Sequence, residues 1–211
     1  MYYLLKRTMD IFLAVGLLVI FSPVILITVV AIKLTSPGPV FADTPKRIGK
    51  NSKPFFPYKF RSMIANAHTL LRTNPKFKKL YEEYKNSSFK LVVDPRVTPV
   101  GKFIRKHSID EVPQLFNVLK GEMSVVGPRP YYEEELEEQL KRYPDKRSLL
   151  KDVLSVNPGI TGYWQVNGRS DINFDKRIEM DAYYARKKSI LFDLQVLLKT
   201  PWAMISGKGT S

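Results

Sequence analysis

The chain has no cysteine among its 211 residues. Disulfides and thiolate metal sites are therefore excluded. Its two histidines, His68 and His107, stand too far apart in sequence to suggest a zinc site. It has neither a GxGxxG turn nor a Walker loop, which argues against nucleotide binding by those routes. No helix-turn-helix, zinc-finger or RNA-recognition pattern occurs, so nucleic acid is not an expected partner despite the charge. There is no internal repeat, low-complexity tract or dividing linker. Acidic residues are scarce, with 20 Asp and Glu against 34 Lys and Arg. The deficit is uneven: residues 1–130 hold 21 of the cations and only 8 of the acids. That excess suits an anionic bilayer surface or an anionic substrate.

Charge is also missing from Ile11 to Ile32, a run of about 22 residues and long enough to span a bilayer. A signal peptide fits poorly, because the run is long and no clear small-residue cleavage site follows. A plain transmembrane helix is the simplest reading. Two details favour a helix that enters, bends and leaves by the same face. Pro23 lies mid-segment behind Ser22, whose hydroxyl can satisfy a freed carbonyl. Cations also flank both ends, Lys6 and Arg7 before and Lys33, Lys46, Arg47, Lys50 and Lys53 after. The positive-inside rule keeps both ends cytoplasmic. The 44% hydrophobic content of the whole chain is ordinary for a globular protein and too low for a multi-span one.

The expected class is α+β and mostly helical, with a helix-break-helix re-entrant segment over 1–36 and one membrane-associated catalytic domain over 37–211. Thr35-Ser-Pro-Gly-Pro39 stops the first helix. Val40 to Phe60 reads as a short hairpin around Gly49-Lys-Asn51. Ile64 to Tyr84 reads as basic helices broken near Asn74-Pro75, and Arg96 to Gly121 as helical with turns at Pro99-Val-Gly101 and Gly121. Val125 to Pro130 reads as a rigid loop. Glu133 to Leu150 reads as a charge-rich helix with a solvated face. A turn-rich stretch from Asn157 to about Ser170 precedes helices over Phe174–Lys187 and Ser189–Ile205. The last is amphipathic and serves either core packing or a bilayer interface.

One acidic pair, Asp110-Glu111, stands in this basic chain. Ser108-Ile-Asp-Glu111 fits a capping box, which would make both acids helix-dipole partners. The same position suits chemistry, since a helix N-terminus favours phosphate and ionised carboxylates that can attack phosphorus or hold Mg²⁺. Arg105 and Lys106 lie one turn upstream. Gly127-Pro-Arg-Pro130 restricts the backbone around Arg129, so its side chain is aimed at little entropic cost. Lys59 and Arg61 alternate along a strand and share one face.

Many short motifs occur in order. They are Lys33-Leu-Thr-Ser-Pro-Gly-Pro39, Tyr58-Lys-Phe-Arg-Ser-Met63, Asp94-Pro-Arg-Val-Thr98 and Ser108-Ile-Asp-Glu-Val-Pro-Gln-Leu115. Asn117-Val-Leu-Lys-Gly121, Met123-Ser-Val-Val-Gly-Pro-Arg-Pro130, Asn157-Pro-Gly-Ile-Thr-Gly162, Trp164-Gln-Val-Asn-Gly-Arg169 and Asp181-Ala-Tyr-Tyr184 follow. On these the chain closely resembles, nearly end to end, the bacterial sugar transferases, the monotopic phosphoglycosyl transferases. The resemblance implies transfer of a sugar 1-phosphate from a UDP-sugar to undecaprenyl phosphate, with release of UMP. It implies Mg²⁺ and a covalent phosphosugar-enzyme intermediate, at the start of O-antigen, capsule, exopolysaccharide or glycoprotein glycan assembly. Carried to this chain, Asp110 is the nucleophile and Glu111 binds Mg²⁺. Arg105 and Arg129 contact phosphates, and Lys59, Arg61, Gln165, Arg169 and Asp181 complete the site. Ser22-Pro23 is the break of the membrane helix, and the protein is monotopic in the bacterial inner membrane with its catalytic domain on the cytoplasmic face, against the anionic leaflet. A homodimer is allowed.

Two departures stand out. Ala42 to Lys46 differs from the family's common Gln-containing form and carries Pro45. Ile64 to Val93 is long and resembles the galactose- or glucose-phosphate branch, pointing to a hexose donor. The chain lacks the multi-span N-terminal region of some relatives, as a minimal enzyme or a catalytic domain would. A membrane-anchored scaffold with a dead site predicts a disrupted acidic pair or Pro-Arg-Pro loop, and both are intact. A basic peripheral protein that binds through charge alone predicts salt-sensitive binding without UMP release.

Overall fold

A computed structural model describes residues 1–86, 91, 93–168 and 172–205. In chain order, α1 spans Tyr2–Thr35, β1 Arg47–Ile48, β2 Pro54–Phe55, α2 Ala67–Thr73, α3 Lys78–Asn86, α4 Pro99–Lys106 and α5 Gln114–Lys120. Then come β3 Ser124–Val126, α6 Glu133–Arg142, α7 Leu150–Val153, β4 Gly159–Thr161, α8 Tyr163–Asn167, α9 Phe174–Lys187 and α10 Ile190–Ile205. The chain is mostly helical with two small sheets, as the sequence implies. β1 and β2 pair antiparallel, with Arg47 opposite Phe55. β3 and β4 pair parallel, with Ser124 opposite Gly159.

The uncharged run builds one helix longer than itself. Helical structure in α1 continues through Ser22-Pro23, so the proline sits inside the helix and not between two helices. It is long and apolar enough to cross a bilayer, and only 11% of its most apolar window is buried. The core helix of a globular protein would be mostly covered. Phe12, Val19, Ile20, Leu26 and Ile27 are all exposed.

Contacts gather the chain into two compact units. One comprises Met1–Val19, Lys46–Phe55 and Gln114–Thr210; the other comprises Ile20–Pro45 and Phe56–Pro113. The first unit has a core of Tyr131, Leu136, Leu140, Val153, Phe174 and Ile178. The start of α1 is fixed into it by charge. Lys6 lies 3.2 Å from Asp10 and 3.3 Å from Asp193 of α10. Asp10 also accepts hydrogen bonds from the Ser124 hydroxyl, at 2.8 Å, and from the Val125 N–H, at 3.0 Å. The Tyr184 hydroxyl donates to Asp193 at 2.5 Å. Every one of these groups is buried or half-buried, so each charge needs its partner. Along α10, Leu191, Leu194, Leu198 and Trp202 remain exposed while Asp193 and Val196 are buried. The amphipathic pattern is therefore met, with its apolar residues outward.

The hairpin reading around Gly49-Lys-Asn51 is met by β1 and β2, and in the second unit by pairing closer to the strand bases. The Ala42 N–H donates to the Lys59 carbonyl at 2.9 Å, and the Arg61 N–H to Val40 at 2.8 Å. Ile32, Phe60 and Ile104 form the core beneath. The break at Asn74-Pro75 is a short 3-10 turn, Pro75–Phe77, capped by the Asn74 side chain. The turn expected at Pro99-Val-Gly101 is instead the first turn of α4. Thr98 caps it, its hydroxyl accepting the Gly101 N–H at 2.9 Å, and Pro99 occupies the first helical position, where no N–H is needed. In the first unit, the helix expected over Glu133 to Leu150 ends at Arg142, because Pro144 opens a 3-10 turn there.

Candidate active site

The acidic pair sits where α4 runs out. His107 closes that helix, and Ser108 adopts a left-handed conformation with φ 54°. Ile109–Glu111 then forms a single 3-10 turn. Ser108 makes no side-chain cap, so the capping box expected there does not form. Its left-handed backbone turns the chain back, and a cap needs an extended one. Glu111 is thereby released from capping duty and takes Lys59, whose Nζ donates to Oε1 at 2.6 Å. The Asp110 carbonyl accepts the Phe60 N–H at 2.9 Å, which fixes the turn beside the Lys59 strand.

Asp110 is 9% exposed. Burial pushes its carboxyl up to about 6; Lys59 pulls it down, Glu111 raises it, and Arg105 lowers it again. The group is ionised at neutral pH, and more basic than a surface aspartate. A more basic carboxylate is a better nucleophile. Asp110, Glu111, Lys59 and Arg105 thus come together as the sequence implied. Arg61 goes elsewhere. It is buried, and its guanidinium donates to the Ser36 carbonyl and hydroxyl, each at 2.8 Å, and to the Pro37 carbonyl. It caps the end of α1 instead of sharing a face with Lys59.

Beside Lys59 opens a cleft of about 530 Å³, lined by Phe41 to Pro45, Phe56 to Tyr58, His68, Thr69 and Arg72. Sequence reasoning passed over Asp43, Thr69 and Arg72, which are unremarkable singly and meet only through the fold.

The first unit holds the Gly127-Pro-Arg-Pro loop. Gly127 is required by close approach: a Cβ there would lie 2.4 Å from the Asn157 carbonyl oxygen. Its N–H donates to Thr161 at 2.9 Å, and Gly159 returns a bond to Pro128 at 2.8 Å. Two motifs far apart in sequence therefore form one backbone-to-backbone joint. Asp181 of α9 is fully buried and accepts the Tyr131 hydroxyl at 2.8 Å and the Arg129 N–H at 3.4 Å. Burial pushes the Asp181 carboxyl up to about 7, against the Tyr131 hydrogen bond and the Arg129 N–H. It reaches Arg129 through the backbone and meets no solvent.

Glu135, expected on a solvated face, is 1% exposed. Its carboxylate gathers Arg177 at 3.5 Å, Arg47 at 3.8 Å and Arg129 at 3.9 Å. Arg177 also lies over the Trp164 ring at 4.8 Å. The burial of Arg177, with Arg129 close by, lowers its pKa. Sequence carried one hint of this cluster: Arg177 and Asp181 are four apart on one helix face. Gln165 donates to the Ile160 carbonyl at 3.3 Å. Arg169 lies outside the described residues.

Among the described residues no cluster of three or more acids, histidines or cysteines could hold a metal by itself. Glu111, partly exposed and paired with Lys59, is a carboxylate of the kind that holds magnesium together with substrate phosphates and water.

A buried carboxylate next to a carboxylate–ammonium pair, in a unit rich in cations, suits phosphate chemistry. The bacterial sugar transferase family model matches residues 1–207, and the chain belongs to that family. It is 41% identical to the undecaprenyl-phosphate galactose phosphotransferase of Salmonella typhimurium, over 97% of this chain and 41% of that protein. It is 39% identical to the exopolysaccharide production protein ExoY of Sinorhizobium fredii, over 97% of this chain and 87% of that protein. It is also 39% identical to the UDP-glucose:undecaprenyl-phosphate glucose-1-phosphate transferase of Escherichia coli, over 93% of this chain and 39% of that protein. The chain thus spans about two fifths of the Salmonella and Escherichia relatives and most of the Sinorhizobium one.

Proposed function

We propose that this chain is a phosphoglycosyl transferase that moves a sugar 1-phosphate from a UDP-sugar to undecaprenyl phosphate and releases UMP. The observation that carries the reading is the buried Asp110 carboxylate, raised to about 6 and flanked by the Glu111–Lys59 pair and Arg105. The names of the relatives support the donor and acceptor classes.

In this reading an Asp110 oxygen attacks the β-phosphorus of the donor. The bond to the bridging oxygen breaks, UMP departs, and an aspartyl-phosphosugar ester remains. A phosphate oxygen of the polyprenyl phosphate then attacks the same phosphorus and frees Asp110, leaving a polyprenyl diphosphate sugar. Splitting the transfer lets one site serve a soluble substrate and a lipid in turn. Lys59 holds Glu111 in place and offsets negative charge near the reacting phosphorus. Arg105 and Arg129 are the phosphate contacts that the resemblance implies. Glu111, with Asp110 beside it, would hold Mg²⁺, and the ion when bound would offset the diphosphate charge.

The exposed apolar surface of α1 supports residence in the bacterial inner membrane; the re-entrant course, bending at Ser22-Pro23 within one helical run, is what the resemblance implies. The exposed leucines and Trp202 of α10 support an interfacial position for that helix. Cations on both sides of the uncharged run Ile11 to Ile32 support a catalytic part at the cytoplasmic face. The test is UMP release by detergent-purified protein given UDP-sugar and undecaprenyl phosphate, with and without Mg²⁺. Release that needs Mg²⁺ and vanishes in Asp110→Asn supports the reading; undiminished turnover by that variant refutes the nucleophile.

A further inference from the structure

The proposed reaction leaves open the role of the cleft beside Lys59. One of its lining residues, Lys59, donates to Glu111, so the cleft begins at the reacting centre. Its walls mix two kinds of group. Phe41 and Tyr58 present aromatic surface; Phe41 is 47% exposed and meets Tyr58 edge-on at a centroid distance of 6.3 Å. Asp43 and Thr69, both exposed, bring oxygen acceptors, and Arg72 brings donors. A volume of about 530 Å³ suits a small organic group.

The chemistry of this lining distinguishes among the parts of the donor. A phosphate would draw on Lys59 and Arg72 and have no use for Asp43. A prenyl chain has no use for a carboxylate, a hydroxyl and a guanidinium together. A pyranose uses all of them: its hydroxyls donate to Asp43 and Thr69 and accept from Arg72, while its C–H face packs on an aromatic ring. The sugar is joined through a single oxygen to the β-phosphorus that Asp110 attacks, so it lies next to the Lys59 end.

We infer that this cleft receives the donor's sugar and that Asp43 is a specificity-determining residue reading its hydroxyls. The inference rests on the proposed transferase reading. It places sugar selection on the Ala42 to Pro45 wall of the cleft.

The test compares wild-type protein with Asp43→Asn, Asp43→Ala and Thr69→Val. UMP release is followed with UDP-glucose, UDP-galactose and their N-acetylated counterparts, and UMP inhibition is measured alongside. Losing a hydroxyl acceptor costs the preferred donor about tenfold or more in kcat/KM, and donors differing at the hydroxyl read change less. Inhibition by UMP stays within about twofold, which also reports an intact fold. An unchanged ranking of donors overturns the inference. So does a uniform loss accompanied by weaker UMP inhibition, which would make the cleft a nucleotide site. A rise confined to the KM for undecaprenyl phosphate would make it a lipid site and overturn the inference equally. No release by wild-type protein with any donor would instead bring down the transferase reading, and this inference with it.

Discussion

Replacing Asp110 with asparagine should make the protein more stable as it makes it inactive. The ordinary carboxyl value is 3.8, and burial pushes Asp110 up to about 6. As pH rises, the unfolded chain gives up this proton first, while the folded chain keeps it until about pH 6. Stability therefore falls between about pH 4 and 6 and stays lower above that window. A shift of about two units corresponds to about 3 kcal/mol at pH 7. Asparagine keeps the shape and an acceptor oxygen but carries no charge, so it removes this penalty. For a chain of this size about 3 kcal/mol raises the melting temperature by about 5–10 °C. The assay is thermal unfolding of both proteins in one detergent with a metal chelator, from pH 7.5 down to pH 4.5. The account expects the variant to melt higher at pH 7.5 and the gap to close as the buffer is acidified. An equal or lower melting temperature at pH 7.5, or a gap that does not change with pH, would refute the reasoning.

Two further outcomes follow from packing and charge. Lys6→Met removes the cation between Asp10 and Asp193 and leaves two buried carboxylates without it; the loss should be about 3–5 kcal/mol in denaturant unfolding, and a change under about 1 kcal/mol would contradict the geometry. Gly127→Ala sets a methyl 2.4 Å from the Asn157 carbonyl and should lose about 2 kcal/mol or more, whereas Gly16→Ala meets nothing within 4 Å and should leave stability unchanged or slightly higher.

Local signals carried most of the elements. The break at Asn74-Pro75, the helix over Phe174–Lys187 and the apolar helix could all be read from residues a few positions apart. Thr98-Pro99 was legible too, as a cap followed by a proline at the first helical position, and the turn reading there undervalued it. Ser108 was not legible. Serine ordinarily caps from an extended backbone, and only the end of α4 just before it forces the left-handed one.

The candidate site divides in the same way. Asp110, Glu111, Lys59 and Arg105 stood out as charge pattern and motif, and the fold assembles them. The burial of Glu135 could not be seen among five glutamates in six residues, because what buries it are arginines from 88 residues earlier to 42 later. Lys6 and Asp10 showed their spacing of four, but their partner Asp193 lies at the far end of the chain. Arg61 looked like half of a cation pair, and the carbonyls at the end of α1 claim it. Long-range partners of buried charges are set by topology, and no window of sequence contains them.

The central claim is that Asp110 becomes covalently attached to the sugar phosphate. The most direct measurement is intact and peptide mass spectrometry of the protein after mixing with its preferred UDP-sugar and Mg²⁺, with no lipid acceptor, alongside the UMP released. The account predicts UMP in an amount close to that of enzyme and a hexose-phosphate adduct on the peptide bearing Asp110, discharged by added undecaprenyl phosphate. UMP that appears only when the acceptor is present, with no adduct at any time, would mean direct displacement and would contradict it.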